Sequence, residues 1–401
     1  MATNDQNFSN NKKVKLIATA VFANCPYLKK AHSYIPQGEM ENKKYGGQYT
    51  VYIPDPGKTR IAKSSDGKSG LAASIDPINE VEYQIELKAG LNDCELTQWN
   101  KLNDVESFKE QIAIPRGKSL ARTVEKEAID STIWRAAQAV VGTAGLEVLA
   151  DASGALDMAG AVGEKVAFIN PTVGAKIAAK ALGAFNQSDI AKDLYRDKFL
   201  GRYAEAAVVT ESYMPTVTGS SARTASITLT AVTDAGGVTI GFDAVKSVTG
   251  TAVAGDAFKA TGLKMVDKNG VQVDADYIVI VGENGAIPEL RIELEGKSCN
   301  NANAWVPTGT TSLTLTPILE DGVKYFVTQT RLESAVGFDS YKFAELPGTK
   351  MTEEKFDGSE IAVQCFEGGD INSFTSAVRM VVPFACGLPD PRESVLAYIK
   401  A

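Results

Sequence analysis

Tyr277-Ile278-Val279-Ile280-Val281 and Leu290-Arg291-Ile292-Glu293-Leu294 are the plainest pieces of a block, Thr216 to Glu320, in which short β-branched runs follow one another between tight turns. Ser226-Ile227-Thr228-Leu229-Thr230, Val238-Thr239-Ile240-Gly241-Phe242 and Ser312-Leu313-Thr314-Leu315-Thr316 belong to the same series, each bounded by Gly, Asp or Asn. β-Branched side chains pack well on a pleated surface, and the bounding residues accept the backbone angles of tight turns, so the block predicts antiparallel strands. On both sides of it the chain reads as mixed helix and strand. A compact β-module is therefore inserted into an α/β-patterned frame whose parts lie far apart in sequence.

Ahead of the module, Val166-Ala167-Phe168-Ile169 predicts a short buried strand, Asn170-Pro171 a turn, and Thr172 to Ala184 a helix with Val173, Ile177 and Ala181 on one side. Further upstream, Lys118 to Val141 carries the strongest helical pattern, with Ser119 as N-cap and Leu120, Val124 and Ala128 at intervals of four, followed by Ile133 and Val140. Such a helix forms a rod of about 35 Å. Leu120, Val124 and Ile133 are its expected packing residues. A second helical stretch covers Leu146 to Ala161. Downstream, Tyr325-Phe326-Val327, Glu360 to Phe366, Phe374 to Val382 and Glu393 to Lys400 predict the strands that complete the frame.

Residues 37–90 predict a long hairpin. Tyr49 to Ile53 and Val81 to Leu87 alternate with period two, Pro54-Asp55-Pro56-Gly57 signals a turn, and Lys63 to Gly70 is charged and Gly/Ser-rich with nothing to build a core. Tyr49, Tyr52, Lys58, Arg60, Lys63 and Lys68 are the candidate contact residues of this excursion. It reads either as a solvated loop or as a basic element docking on an acidic surface of an identical neighbour. Residues 1–36 read as an arm, polar at first and then carrying the apolar patch Val21 to Leu28, of the kind that gains order by lying on a neighbour.

The 41 basic and 49 acidic residues give a net charge of −8, which argues against nucleic-acid binding as the main activity. The module holds seven basic and eleven acidic residues and so contributes half of that charge. No apolar run approaches a membrane span, and the Asn-rich leader predicts no secretory signal. Cys25, Cys94, Cys299, Cys365 and Cys386 are scattered without metal or redox spacing, which predicts free thiols in a reducing cytoplasm.

The one histidine, His32, lies beside Ala31 and Ser33 and is expected to be a surface or packing residue. The commonest zinc, acid–base and nucleophile arrangements all need more than that. Gly142-Thr143-Ala144-Gly145 lacks the Lys of a phosphate loop and predicts a helix break. Asp267-Lys268-Asn269-Gly270 with Asp274 and Asp276 has its Gly at the wrong offset for a calcium loop and lacks the closing Glu, so it predicts a hairpin turn. A carboxylate pair for glycoside hydrolysis stays open, because its separation is a spatial property. No catalytic, cofactor or metal residue is singled out.

The order of arm, hairpin, long helix, strand-Asn-Pro-helix unit and inserted β-module resembles the major capsid (coat) proteins of tailed phages. The stretches carrying the likeness are Pro26-Tyr27-Leu28-Lys29-Lys30-Ala31 leading to Tyr34-Ile35-Pro36, Phe168-Ile169-Asn170-Pro171, Gly201 to Pro215, Gly368-Gly369-Asp370-Ile371-Asn372, Arg379 to Pro383 and Leu388-Pro389. The resemblance implies the α+β Hong Kong 97-like fold, in the form found in short-tailed phages with an antiparallel β-barrel inserted in the axial domain. It would divide the chain into an N-terminal arm (1–36), an extended loop (37–90), a peripheral domain with a spine helix and the first part of the axial domain (91–215), the inserted barrel (216–320) and the remaining axial and closing peripheral strands (321–401).

The same resemblance implies a non-enzymatic protein without cofactor that self-assembles as hexamers and pentamers into an icosahedral virion shell enclosing double-stranded DNA without sequence-specific binding. Assembly would occur in the host cytoplasm, with a scaffolding protein and a portal as partners, and would admit a decoration protein. No charged helical segment of scaffold type precedes the arm, so the scaffold is expected to be a separate chain. The Lys, Asn and Glu set of self-cross-linking members finds no matching positions, and no covalent chainmail is expected. Two other readings stay open: an encapsulin-like shell of a cellular compartment, and an enzyme or adhesin bearing a β-module.

Overall fold

The computed structural model describes residues 14–34, 48–54, 80–97, 109–182, 201–297, 299, 301–309, 313–344, 349–355, 361–370 and 375–401. The fold is α+β, and the chain divides into two compact units, each assembled from separated segments. Residues 1–51, 84–132 and 333–388 form the first, and 52–83, 133–332 and 389–401 the second.

In the first unit a sheet of six strands runs in the order Gln48–Pro54, Glu80–Thr97, Thr375–Gly387, Ala362–Asp370, Lys350–Lys355, with Gly337–Asp339 added to Thr375–Gly387. Leu87 to Thr97 pairs residue for residue with Ala385 to Thr375 in antiparallel register. The long helix of this unit is Ile114–Thr132, preceded by a single π-turn at Lys109–Ala113. Its buried side, Leu120, Val124 and Ala128 among others, follows the expected interval of four. Gly90 lets the helix lie close on the sheet, because a Cβ there would come within 2.4 Å of Val124 Cγ2.

The helix differs from its sequence reading at both ends. It starts before Ser119, which therefore lies inside it instead of capping it, and it stops at Thr132, leaving Ile133 in the following turn. Val140 and Val141 belong to the strand Gln138–Gly142, where two adjacent β-branched residues before a glycine favour extended backbone over another helical turn.

The N-terminal segment also departs from expectation. Residues 14–34 do not wait for a neighbour to order them. A helix at 14–23 crosses Ile114–Thr132 at Gly117, where an added Cβ would lie 2.8 Å from Ala20 Cβ. The patch read as part of an arm is core: Val21, Cys25, Tyr27 and Leu28 are buried. The Tyr27 amide donates to Glu125 Oε1 at 2.6 Å, the Tyr27 hydroxyl meets Thr132 Oγ1 at 2.8 Å, and His32 forms a parallel bridge with Gly337.

In the second unit a host sheet has the order Gln138–Gly142, Ser394–Lys400, Lys324–Leu332, Lys165–Ile169, Ala206–Thr210, Arg202–Tyr203, with Thr216–Thr218 added to Lys324–Leu332. Ser394–Lys400 pairs in parallel with Gln138–Gly142 and antiparallel with Lys324–Leu332. Leu146–Met158 and Pro171–Leu182 are the helices of this unit. The first residues of the sequence block, Thr216 to Thr218, are thus host strand.

The remainder of the block makes a second sheet in the order Gln272–Ile280, Ala257–Val266, Ala304–Val306, Ala286–Leu294, Thr239–Ser247, Ala231–Thr233, with Thr314–Pro317 sharing one side of Ala257–Val266 with Ala304–Val306. Two expectations are corrected here. Ala286–Leu294 and Ala304–Val306 pair in parallel, so the sheet is not wholly antiparallel. No ladder among the described residues joins the outer strands, so the sheet stays open where a closed barrel was expected. Ser226 to Thr230 shows why: Ile227 and Leu229 turn inward on the module's core as their alternation requires, yet beyond Ser226 the run makes no ladder. The module is also not sealed from its host, since Ala137 and Ala159 lie in the same buried cluster as Phe258, Leu263 and Ile292.

Candidate functional site

Among the hairpin residues singled out from the sequence, Tyr49 and Tyr52 lie on Gln48–Pro54, the first half-buried and the second 55% exposed. Lys58, Arg60, Lys63 and Lys68 lie outside the described residues. Leu120 and Val124 are buried on the long helix and Ile133 is buried just beyond it.

What the structure brings together is a cleft within the second unit. Its walls come from the hairpin strands (Ile53, Pro54, Val81, Tyr83), from the module (Gly270, Glu289, Arg291, Asn303) and from the loop Pro389 to Arg392 that leads into the last host strand. At its edge the Arg135 guanidinium stacks over the Tyr83 ring at 4.2 Å and donates from Nη2 to the Pro389 carbonyl. With a volume of about 70 Å³ it has room for a few waters and not for a cofactor.

The floor of this region is a buried ionic latch. Arg392 grips Asp390 through Nε–Oδ1 at 2.9 Å and Nη2–Oδ2 at 3.1 Å, and its Nη1 donates 2.9 Å to the Asp267 carbonyl of the module. Lys268, next in the module, pairs with Glu393, next in the host. Burial alone would raise the Asp390 carboxyl, but the guanidinium beside it holds it below the usual carboxylate range. Burial raises the Glu393 carboxyl, and the pairing with Lys268 offsets that only in part. Asp267 also closes the expected hairpin turn, accepting from the Asn269 and Val271 amides, with Gly270 at φ +75°. Sequence reasoning noted Leu388-Pro389 and the 267–270 turn separately. The signal available for the latch was two adjacent charged pairs, 267–268 and 392–393, whose partnership depends on a fold separation of 125 positions.

His32 is exposed and meets the Tyr34 ring edge-on at 6.4 Å. Lys165 Nζ lies 3.0 Å from Ser153 Oγ and is also held by Asp157 and Glu205. None of the five cysteines is in a disulfide, and burial pushes the Cys365 thiol up to about 12. Among the described residues no set of three metal-ligating side chains converges, and no helix is long and apolar enough to cross a membrane.

No protein-family model and no curated protein matches the chain. Solved structures to which the chain is similar include the cyanophage Pam1 capsid asymmetric unit, with a TM-score of 0.44 at 9% identity over 90% of this chain and 86% of that one. The capsid of cyanophage P-SCSP1u gives 0.42 at 11% identity over 90% and 85%. A virus-like particle from Pyrococcus furiosus gives 0.37 at 10% identity over 96% and 97%.

Proposed function

We propose that this chain is a shell-forming subunit, the major capsid protein of a tailed bacteriophage, which assembles with copies of itself around double-stranded DNA and catalyses no reaction. The observation that carries the reading is the strand Glu80–Thr97. Eighteen residues of extended backbone span about 60 Å at ~3.3 Å per residue, some three times an ordinary strand. Leu87 to Thr97 is committed to the first unit's sheet, the strand neighbours Gln48–Pro54, and Glu80, Glu82, Gln84 and Glu86 are exposed in alternation. A subunit that works alone gains little from such an extension. A hairpin of that length suits a protrusion that engages a different surface on the next copy, and head-to-tail contacts of this type close into rings and shells. Many such contacts of modest strength can break and re-form, so that errors anneal before closure.

The test is assembly of the parent beside a variant lacking residues 63–70. Sedimentation velocity and negative-stain microscopy at rising concentration should show the parent forming closed particles, and the variant remaining a folded subunit with the parent's circular dichroism. A parent that stays monomeric with its scaffolding partner supplied removes the shell reading. A deletion that unfolds the subunit makes the hairpin part of the core and removes this argument for it. Particles enclosing a protein cargo in place of DNA would favour the cellular-compartment reading.

A further inference from the structure

The outward face of Ile114–Thr132 carries Lys118, Arg122 and Lys126, all exposed and spaced at i, i+4 and i+8. At 1.5 Å per residue they form a line of cations about 12 Å long. In a chain of net charge −8 that line would be expected to be neutralised locally, yet of the helix's own carboxylates only Asp130 reaches it. Glu125 is buried and accepts from the Tyr27 amide. Glu127 takes Lys88 at 2.6 Å. Asp130 pairs with Lys126 along the helix, an exposed contact of the weak kind. Among the described residues Lys118 and Arg122 have no carboxylate within ion-pair distance. Arg116, two residues before Lys118 and so on another side of the helix, is half-buried and bound to Asn92 Oδ1 and the Asp93 carbonyl, and does not belong to the line.

We infer that this helix face is where the subunit meets the phosphate backbone of the enclosed duplex DNA. The inference rests on the shell reading, which places a polyanion against one side of every copy. A duplex carries one charge per ~1.7 Å of its axis, and a 12 Å line of cations matches about one groove width, so two or three phosphates can be met per subunit without reading any base. An acidic chain with one short basic line binds such a polymer weakly and repels it elsewhere. That combination suits a lining along which DNA must slide while it is packed and from which it must leave. The summed contacts of many copies provide retention that one subunit does not.

The experiment titrates a fluorescent 30-base-pair duplex with the full chain at a series of low salt concentrations and follows anisotropy. Its comparison proteins are the triple variant Lys118→Gln/Arg122→Gln/Lys126→Gln and a control with equal charge loss on the module, Lys246→Gln/Lys259→Gln/Lys264→Gln. The parent should bind weakly, with log K falling against log salt at a slope of about −2 to −3, as expected for ~0.9 per phosphate neutralised. The helix variant should bind at least tenfold more weakly at the lowest salt with a slope reduced by about 2, and the control should keep most of the parent slope. Equal losses in both variants would show a bulk-charge effect and overturn the inference, as would an unchanged slope in the helix variant. Negative-stain microscopy of the same proteins separates the two proposals. Shells from a helix variant with unaltered DNA binding leave the shell reading standing and refute the lining. Loss of shells with unaltered DNA binding assigns the face to a second copy, which also refutes it.

Discussion

Replacing Arg392 with Met removes the centre of the latch while keeping an unbranched, apolar side chain in its place. The guanidinium makes three hydrogen bonds, two to Asp390 and one to the Asp267 carbonyl, and the side chains of Arg392 and Asp390 are only 13% and 9% exposed. Without it, Asp390 is a carboxylate under protein with its main counter-charge gone. Breaking a buried pair from one side costs about 3–5 kcal/mol, a large share of the ~5–15 kcal/mol that holds a domain together. For a unit of roughly 250 residues, at about 2–4 °C per kcal/mol, the melting temperature should fall by roughly 6–20 °C.

The pH dependence has a defined sign. Asp390 has a folded pKa below its unfolded value, so the stability it contributes is present above the unfolded pKa, about 3.9, and is lost as pH falls through the lower folded value. The gap between parent and variant should therefore be widest near neutral pH and narrow below about pH 4. The double variant Asp390→Asn/Arg392→Met, which leaves no orphan charge, should recover part of the loss at neutral pH. Thermal unfolding followed by circular dichroism at pH 7 and pH 3.5 reads all three proteins. An Arg392→Met protein that melts within a degree of the parent at pH 7, or a gap that is the same at both pH values, would refute the reasoning.

Gly90→Ala should destabilise the first unit by about 1–3 kcal/mol, because the new methyl meets Val124 Cγ2, and combining it with Val124→Ala should cost less than the sum of the two; strict additivity in urea unfolding would mean that the helix does not rest on Gly90. Leu120→Ala should cost about 2–5 kcal/mol, and a melting curve identical to the parent's would place that side chain outside the core. Iodoacetamide at pH 8 should label Cys299 and Cys94 well before the buried Cys25, Cys365 and Cys386, with Cys365 slowest for its raised pKa; peptide mapping that finds Cys365 modified first would contradict its burial.

The parts of this fold legible in the sequence are those fixed by local periodicity. The runs at Tyr277, Leu290 and Lys165 to Ile169 are strands because alternation and β-branching act over a few residues, and Leu120, Val124 and Ala128 mark a helix face for the same reason. What escaped depends on distant partners. Val140 and Val141 fit the end of a helix by spacing, and the parallel partner Ser394–Lys400 decides for a strand. Val21 to Leu28 looked like an arm because its partners, Ala121, Glu125 and Thr132, lie about a hundred residues away. The latch was invisible for the same reason, and so was the openness of the module's sheet, which depends on whether two outer strands meet. The basic line on the long helix was present as Lys118, Arg122 and Lys126, but its meaning comes from where Glu125, Glu127 and Asp130 are spent.

The position of Ser394–Lys400 in the host sheet sets a timetable for the nascent chain. This strand lies between Gln138–Gly142 and Lys324–Leu332, so the early strand acquires its neighbour only after about 250 further residues have been made. At ~5–20 residues per second that is a wait of roughly 12–50 s with an apolar edge uncovered. A chain stalled anywhere in that interval has no completed second unit and so lacks the surfaces that a finished copy would offer to others. Late delivery of one interior strand thus delays completion of the second unit until that strand has been made.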